Sequence, residues 1–221
     1  MRFTALFFDL DDTLYPSNTG LWNAIRDRMG QYMHEKIGLP WEDIPRLRIQ
    51  YLEEFGTTLR GLQHDYTVDT DEYLAYVHDV PLAEYIFPEP NVRSLFESLP
   101  QPKWVFTNSD AAHAGRVLKV LDLRDCFQGV IDIHQLDFAC KPEKVAYLRA
   151  LEVAEQEDPH RCLLVEDAIR NLMPAHALGF TTVLVHNHTG SSEKIQDPNV
   201  DYAITHLNEL RQAIPSLWEK G

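Results

Sequence analysis

Cysteine is scarce. Cys126, Cys140 and Cys162 are the only three, an odd count with no CxxC spacing, which argues against a disulfide framework and against a cysteine-built zinc site. They read as buried or half-buried thiols. Positive charge is short as well: 20 Lys and Arg stand against 34 Asp and Glu, a formal charge of −14. Such a surface opposes nucleic-acid backbones and anionic membranes, so any phosphate must be held by a local site. No apolar run approaches the length of a bilayer span, and the first residues lack the basic and apolar regions of a secretion signal. Neither a membrane nor a nucleic acid is therefore an expected partner, and the cytoplasm is the expected compartment. Internal repeats and low-complexity stretches are also missing. What is present is material for a full core, since 44% of the 221 residues are apolar, enough for one large domain or a domain carrying an inserted module.

The apolar run from Phe3 to Phe8 predicts a strand buried on both faces that delivers Asp9 and Asp11 at its carboxyl end. Two carboxylates two residues apart share a face of extended backbone and invite a cation or a shared proton; the bland alternative is a strand running out into a solvated acidic turn. After the turn-rich stretch 15–20, apolar residues recur at helical spacing: Leu21, Ile25, Met29, Tyr32 and Met33, then Ile44, Leu47, Tyr51, Leu52 and Phe55. Residues 56–62 read as a loop or short helix, and 71–80 as a helix closed by Pro81. From residue 92 the pattern alternates, with helices expected at 92–99, 113–121, 142–154, 169–178 and 207–217 and strands at 103–106, 129–133, 162–165 and 181–185. That alternation is the signature of βαβ units. The expected fold is α/β, a Rossmann-like parallel sheet flanked by helices and built from residues 1–16 and 89–221, with a helical bundle, 17–88, inserted. His186 and His188 lack a third nearby ligand and read as part of a polar loop.

Just past the strand ends stand Asp9 and Asp11, then Thr107, Lys141, and Glu166 with Asp167. Each type has a task in phosphoryl transfer. Asp9, first out of its strand, is the candidate nucleophile, and Asp11 the candidate acid and base for the leaving oxygen and the attacking water. Thr107, with main-chain N–H groups of 107–109, can donate to phosphate oxygens, with Asn108 beside it at the mouth of the site. Lys141 supplies fixed positive charge and is expected to keep Asp9 ionised; alone it would read as an ordinary surface lysine. A hard dication such as Mg2+ would suit Asp9, the Asp11 main-chain carbonyl and Asp167, with Glu166 either a further ligand or an outer acceptor. Asp12 is expected to face solvent or cap the turn, and Thr13 to stiffen it through a side chain to backbone bond.

Asp9-Leu10-Asp11-Asp12-Thr13, Thr107, Lys141-Pro142 and Glu166-Asp167, in that order, resemble the four signature motifs of the haloacid dehalogenase-like (HAD) hydrolase superfamily. The insertion after the first motif resembles that superfamily's helical C1 cap, which closes over the site and selects substrate. The segments 9–22, 51–62, Phe106-Thr107-Asn108 and Arg170-Asn171 look similar to the pyrimidine 5′-nucleotidase branch. The resemblance implies a Mg2+-dependent phosphomonoesterase working through an aspartyl phosphate on a small-molecule substrate such as UMP or CMP. Asp11 separates the chain from true dehalogenases, which lack it, whereas Glu166-Asp167-Ala168 departs from the two aspartates and serine more usual in the nucleotidase branch and occurs in β-phosphoglucomutase-like members. A phosphosugar phosphatase or phosphomutase is thus the nearest alternative, and a non-catalytic phosphate- or nucleotide-binding module a further one. His34, His64, His78, Tyr66 and Arg60 are candidates for substrate contact in the cap, against a reading as solvated or capping groups. Arg170 and Asn171 are expected to brace the fourth-motif loop.

Overall fold

The computed structural model describes residues 2–186 and 196–219, so Asn187 and His188 of the polar loop lie outside the described residues. The chain divides into two units, Met1–Thr19 with Ile86–Gly221, and Gly20–Tyr85.

The second unit is helical: α1 (Leu21–Glu35), α2 (Ile44–Phe55), α3 (Thr58–Asp65) and α4 (Thr70–Val77). Its helix ends follow local chemistry. Thr57 accepts from the Arg60 N–H and Asp69 from the Glu72 N–H, each satisfying an orphan donor at a helix start, while Gly56 ends α2 in the left-handed conformation. The stretch left open between loop and helix is helical because that Thr57 cap starts it. Its Gly61 lies flat against Tyr51, and the Tyr51 hydroxyl donates to Asp65 at 2.7 Å.

The first unit is a parallel sheet of β1 (Ala5–Phe8), β2 (Lys103–Phe106), β3 (Gly129–Ile131), β4 (Cys162–Glu166), β5 (Thr181–Val185) and β6 (Tyr202–Ile204), in the order β3-β2-β1-β4-β5-β6. Helices α5 (Pro90–Ser98), α6 (Ala111–Val120), α7 (Lys144–Val153), α8 (Ile169–Leu178) and α9 (Leu210–Ala213) flank it, the Rossmann-like α/β arrangement. β1 is buried on both faces: Ala5 and Phe7 join the core formed with α7 and α8, while the Phe8 ring meets Phe96 and Phe127 edge-on at 4.9 and 5.9 Å. The order reverses at β1, with β2 on one side and β4 on the other, and ligands of open α/β sheets bind outside the carboxyl ends of the strands at such a switch point.

Several expected elements differ, the helix expected at 71–80 ending already at Val77. The strand at 129–133 stops at Ile131 because Asp132 turns inward, its carboxylate accepting from the N–H groups of Ala111 and Gln135. Pro142 stands outside α7: Glu143 is extended, so the helix begins at Lys144. The last helix is broken into two short 3-10 turns around α9, since Ile214 leaves helical backbone ahead of Pro215. β6 was hidden by its brevity. All three cysteines are free, Cys140 and Cys162 buried and Cys126 half-buried. Among the described residues, no helix is long and apolar enough to cross a membrane.

Candidate active site

Register places the carboxylates. Phe8 pairs with Val165, so Asp9 and Glu166 come abreast on adjacent strands. Lys141 reaches in from the loop after β3, fully buried, and its Nζ donates to Asp9 Oδ1 at 2.6 Å, Glu166 Oε2 at 2.7 Å and the Phe106 carbonyl at 2.8 Å. Three charge-assisted bonds use all three ammonium protons. The Thr13 hydroxyl donates to Asp9 Oδ2 at 3.1 Å, so it stiffens the turn through the carboxylate and not through the backbone. Asp12 holds the turn in left-handed backbone, φ 60°, and one of its carboxylate oxygens is out of solvent instead of facing it.

Lys141 does not simply keep Asp9 ionised. Burial and then the Glu166 carboxylate raise Asp9 to about 7, and the shared lysine only partly opposes them. Burial alone would favour neutral Lys141 and neutral Glu166, but their pairing wins: the lysine is raised and Glu166 lowered. Partial desolvation and the Glu166 charge push Asp167 upward. Asp9, Glu166 and Asp167 present ligand oxygens all within 4.8 Å of one another, against one ammonium. Three hard oxygen donors with a surplus of negative charge fit a dication such as Mg2+.

Asp11 has two partners of its own. The Tyr15 hydroxyl donates to Asp11 Oδ1 at 2.7 Å, and His113 Nε2 lies 3.0 Å from the same oxygen. Burial and then the Asp11 charge hold the Tyr15 proton firmly. His113 comes from α6, 102 residues away, and is 1% exposed. Sequence reasoning missed it; the only available signal was a polar residue on the buried face of a helix leaving a motif-bearing strand.

Thr107 is buried, and its hydroxyl accepts from the Ser109 N–H at 3.0 Å, which leaves its proton to donate. Of the three main-chain donors expected here, Thr107 N–H is spent on the Ile131 carbonyl and Ser109 N–H on Thr107, leaving that of Asn108. The Asn108 side chain grips Lys141 instead of the mouth of the site: Nδ2 donates to the Lys141 carbonyl at 2.9 Å, and Oδ1 accepts from the Lys141 N–H at 2.7 Å. Asp132 ties the same two loops together, as does the Ile133 N–H on the Ser109 carbonyl at 3.1 Å. Glu166 Oε1 accepts from the Ala168 N–H, closing the fourth loop, and the buried Asn171 braces its helix through its carbonyl, which accepts from the Tyr147 hydroxyl.

In the helical unit, His34 serves its own loop, its Nδ1 2.8 Å from the Leu39 carbonyl and its ring stacked on Trp41, and His64 pairs with the adjacent Asp65. His78 is buried, Tyr66 exposed, and Arg60 lies in the first turn of α3.

A family profile described as haloacid dehalogenase-like hydrolase matches residues 3–179. Phosphate metabolism protein 8 of Saccharomyces cerevisiae is 27% identical over 205 residues, covering 86% of this chain; the chain spans 64% of that relative's length. Among solved structures, a magnesium-bound HAD hydrolase of Bacillus subtilis is similar with TM-score 0.64 at 17% identity, covering 96% of this chain and 98% of that one. A HAD phosphatase of Thermococcus onnurineus gives TM-score 0.64 at 20% identity, with 95% and 96% covered. An L-2-haloacid dehalogenase of Xanthobacter autotrophicus gives 0.59 at 16%, with 95% and 97% covered.

Proposed function

The chain belongs to the haloacid dehalogenase-like hydrolases, and from that premise we propose that it is a Mg2+-dependent phosphomonoesterase acting through an aspartyl phosphate, with pyrimidine nucleoside 5′-monophosphates as substrates. The observation that carries this reading is Asp11, a second carboxylate two residues from the nucleophile and held by Tyr15 and His113. Phosphate-ester cleavage needs a proton at the leaving oxygen; displacement of a halide does not. The likeness to a protein named for phosphate metabolism points the same way. The nucleotide preference rests on the resemblance of segments 9–22 and 51–62 to the pyrimidine nucleotidase branch, and the helical unit is assigned as a C1-type cap on the same ground.

In the proposed reaction an Asp9 carboxylate oxygen attacks phosphorus as the bond to the ester oxygen breaks, and Asp11 gives that oxygen its proton. A water then attacks the aspartyl phosphate, losing its proton to Asp11 and releasing phosphate and free Asp9. Thr107 donates its hydroxyl proton to a phosphate oxygen, and Lys141 counters charge on Asp9. Asp9, the Asp11 main-chain carbonyl and Asp167 would hold Mg2+, which when bound supplies positive charge against the carboxylates and the phosphate. Glu166, with one oxygen on Lys141 and the other on the Ala168 N–H, acts as the outer acceptor.

Release of phosphate from a panel of nucleoside monophosphates and sugar phosphates tests the substrate class; no preference for UMP or CMP would end the nucleotidase assignment. Asp9→Asn should lower kcat by about 10⁴-fold or more. Full turnover of p-nitrophenyl phosphate by that variant, or undiminished activity in EDTA, would refute the covalent and metal-dependent mechanism.

A further inference from the structure

The two oxygens of an aspartate are equivalent until the surroundings tell them apart, because the last side-chain torsion is broad and nearly two-fold. At Asp11 the surroundings do so. Tyr15 follows four residues on, in a turn closed by the Leu14 N–H on the Leu10 carbonyl at 3.0 Å, and its hydroxyl donates to Asp11 Oδ1 at 2.7 Å. His113 stands in the first turn of α6 and its Nε2 lies 3.0 Å from the same Oδ1. The backbone that carries this ring is fixed twice over: the His113 N–H donates to the Asp110 cap at 2.7 Å, and the Ala111 N–H donates to Asp132 at 2.9 Å. A carboxylate oxygen only accepts, so facing ionised Asp11 the ring carries its proton on Nε2. Tyr15 and His113 are buried, whereas the Asp11 side chain keeps 17% exposure. The two donors therefore hold the carboxyl group from its protein side, and it is Asp11 that reaches solvent.

Each carboxylate oxygen offers about two lone-pair sites, and an oxygen that accepts two hydrogen bonds has no room for an acid proton as well. We propose that Tyr15 and His113 are positioning residues for phosphate-ester cleavage: by filling both sites of Asp11 Oδ1 they confine the transferable proton to Oδ2 and hold that oxygen in one direction. This rests on the phosphomonoesterase reading of Asp11 given above. The Oδ2 proton passes to the ester oxygen as that oxygen takes the electron pair of the breaking P–O bond and an Asp9 oxygen forms the new one. In the second half Oδ2 takes a proton from the attacking water. Tyr15 and His113 keep their own protons throughout.

Such positioning matters only to a leaving group that needs a proton. An alkoxide does; p-nitrophenolate, whose charge spreads into its ring, leaves almost without one. The test compares kcat/KM, which reports the steps up to the aspartyl phosphate, in the full-length protein with Mg2+. The two substrates are p-nitrophenyl phosphate and the best alkyl ester from the panel of nucleoside and sugar phosphates. Tyr15→Phe, which keeps the ring, and His113→Phe should each lower kcat/KM toward the alkyl ester roughly ten- to hundred-fold, but toward p-nitrophenyl phosphate by about three-fold at most. His113→Gln, which offers an N–H near the place of Nε2, should recover part of the loss. Equal losses on both esters would mean a merely structural role and overturn the proposal, as would undiminished cleavage of the alkyl ester by both Phe variants. In either event a parent that cleaves both esters, with Asp9→Asn cleaving neither, leaves the phosphomonoesterase reading standing. A parent that cleaves neither ester would end that reading and the proposal together.

Discussion

One ammonium, Lys141, is shared between two buried carboxylates, so metal-free Asp9 sits in a site that disfavours its charge. Its pKa is raised from 3.8 to about 7. Between those values the folded chain binds more protons than the unfolded one, so the Asp9 contribution is fully present below about pH 4 and lost as pH rises through 7. In EDTA, Asp9→Asn should therefore stabilise the fold at pH 8 by on the order of 2–4 kcal/mol and flatten the slope between pH 4 and 7, read by thermal denaturation. A variant as labile as the parent at pH 8 would sink that account. His113→Phe removes a partner of Asp11 and should lower kcat roughly ten- to hundred-fold with KM little changed; unchanged kcat would take His113 out of the acid/base assembly. Asp9, Asp11, Thr107, Glu166 and Asp167 could be picked out in the sequence as candidates because each stands at or just past a strand end, whereas Lys141, far along the loop after β3, stood out only as a lysine set before a proline in an acidic chain. His113, Asp132 and the grip of Asn108 could not, since each acts on a loop that only the assembled sheet brings near.

At the scale of elements, α2 and α3 meet where Gly61 lies on Tyr51: a Cβ there would come within 2.1 Å of the Tyr51 ring. Gly61→Ala should cost about 1–3 kcal/mol through overpacking, measured by denaturant unfolding, and a neutral effect would show that Tyr51 can move aside. The segment 51–62 that resembles a nucleotidase branch thus owes at least its tyrosine and glycine to helix packing. Long periodic helices and apolar strands could be read directly, since α2, α8, β2 and β5 fall where spacing puts them. Elements decided by a single side chain or a brief pairing could not: Asp132 cuts β3 short, Glu143 delays α7, and three residues suffice for β6.

For the molecule as a whole, a charge of −14 repels the anionic substrate that the proposed reaction needs. Raising monovalent salt from about 0.01 to 0.15 M shortens the Debye length from about 30 to 8 Å, so kcat/KM toward a phosphomonoester should rise a few-fold while kcat stays level; a steep fall would mean that the approach to the site is locally positive. The central place of β1 has a consequence for synthesis. It is made before its neighbours β2 and β4, which begin only at Lys103 and Cys162. Until β2 is made an apolar strand waits with both edges unpaired, until β4 is made it still has one open edge, and the Asp9–Lys141 bond, spanning 132 residues, closes late. Nascent chains halted before residue 162 should be the ones most in need of a chaperone.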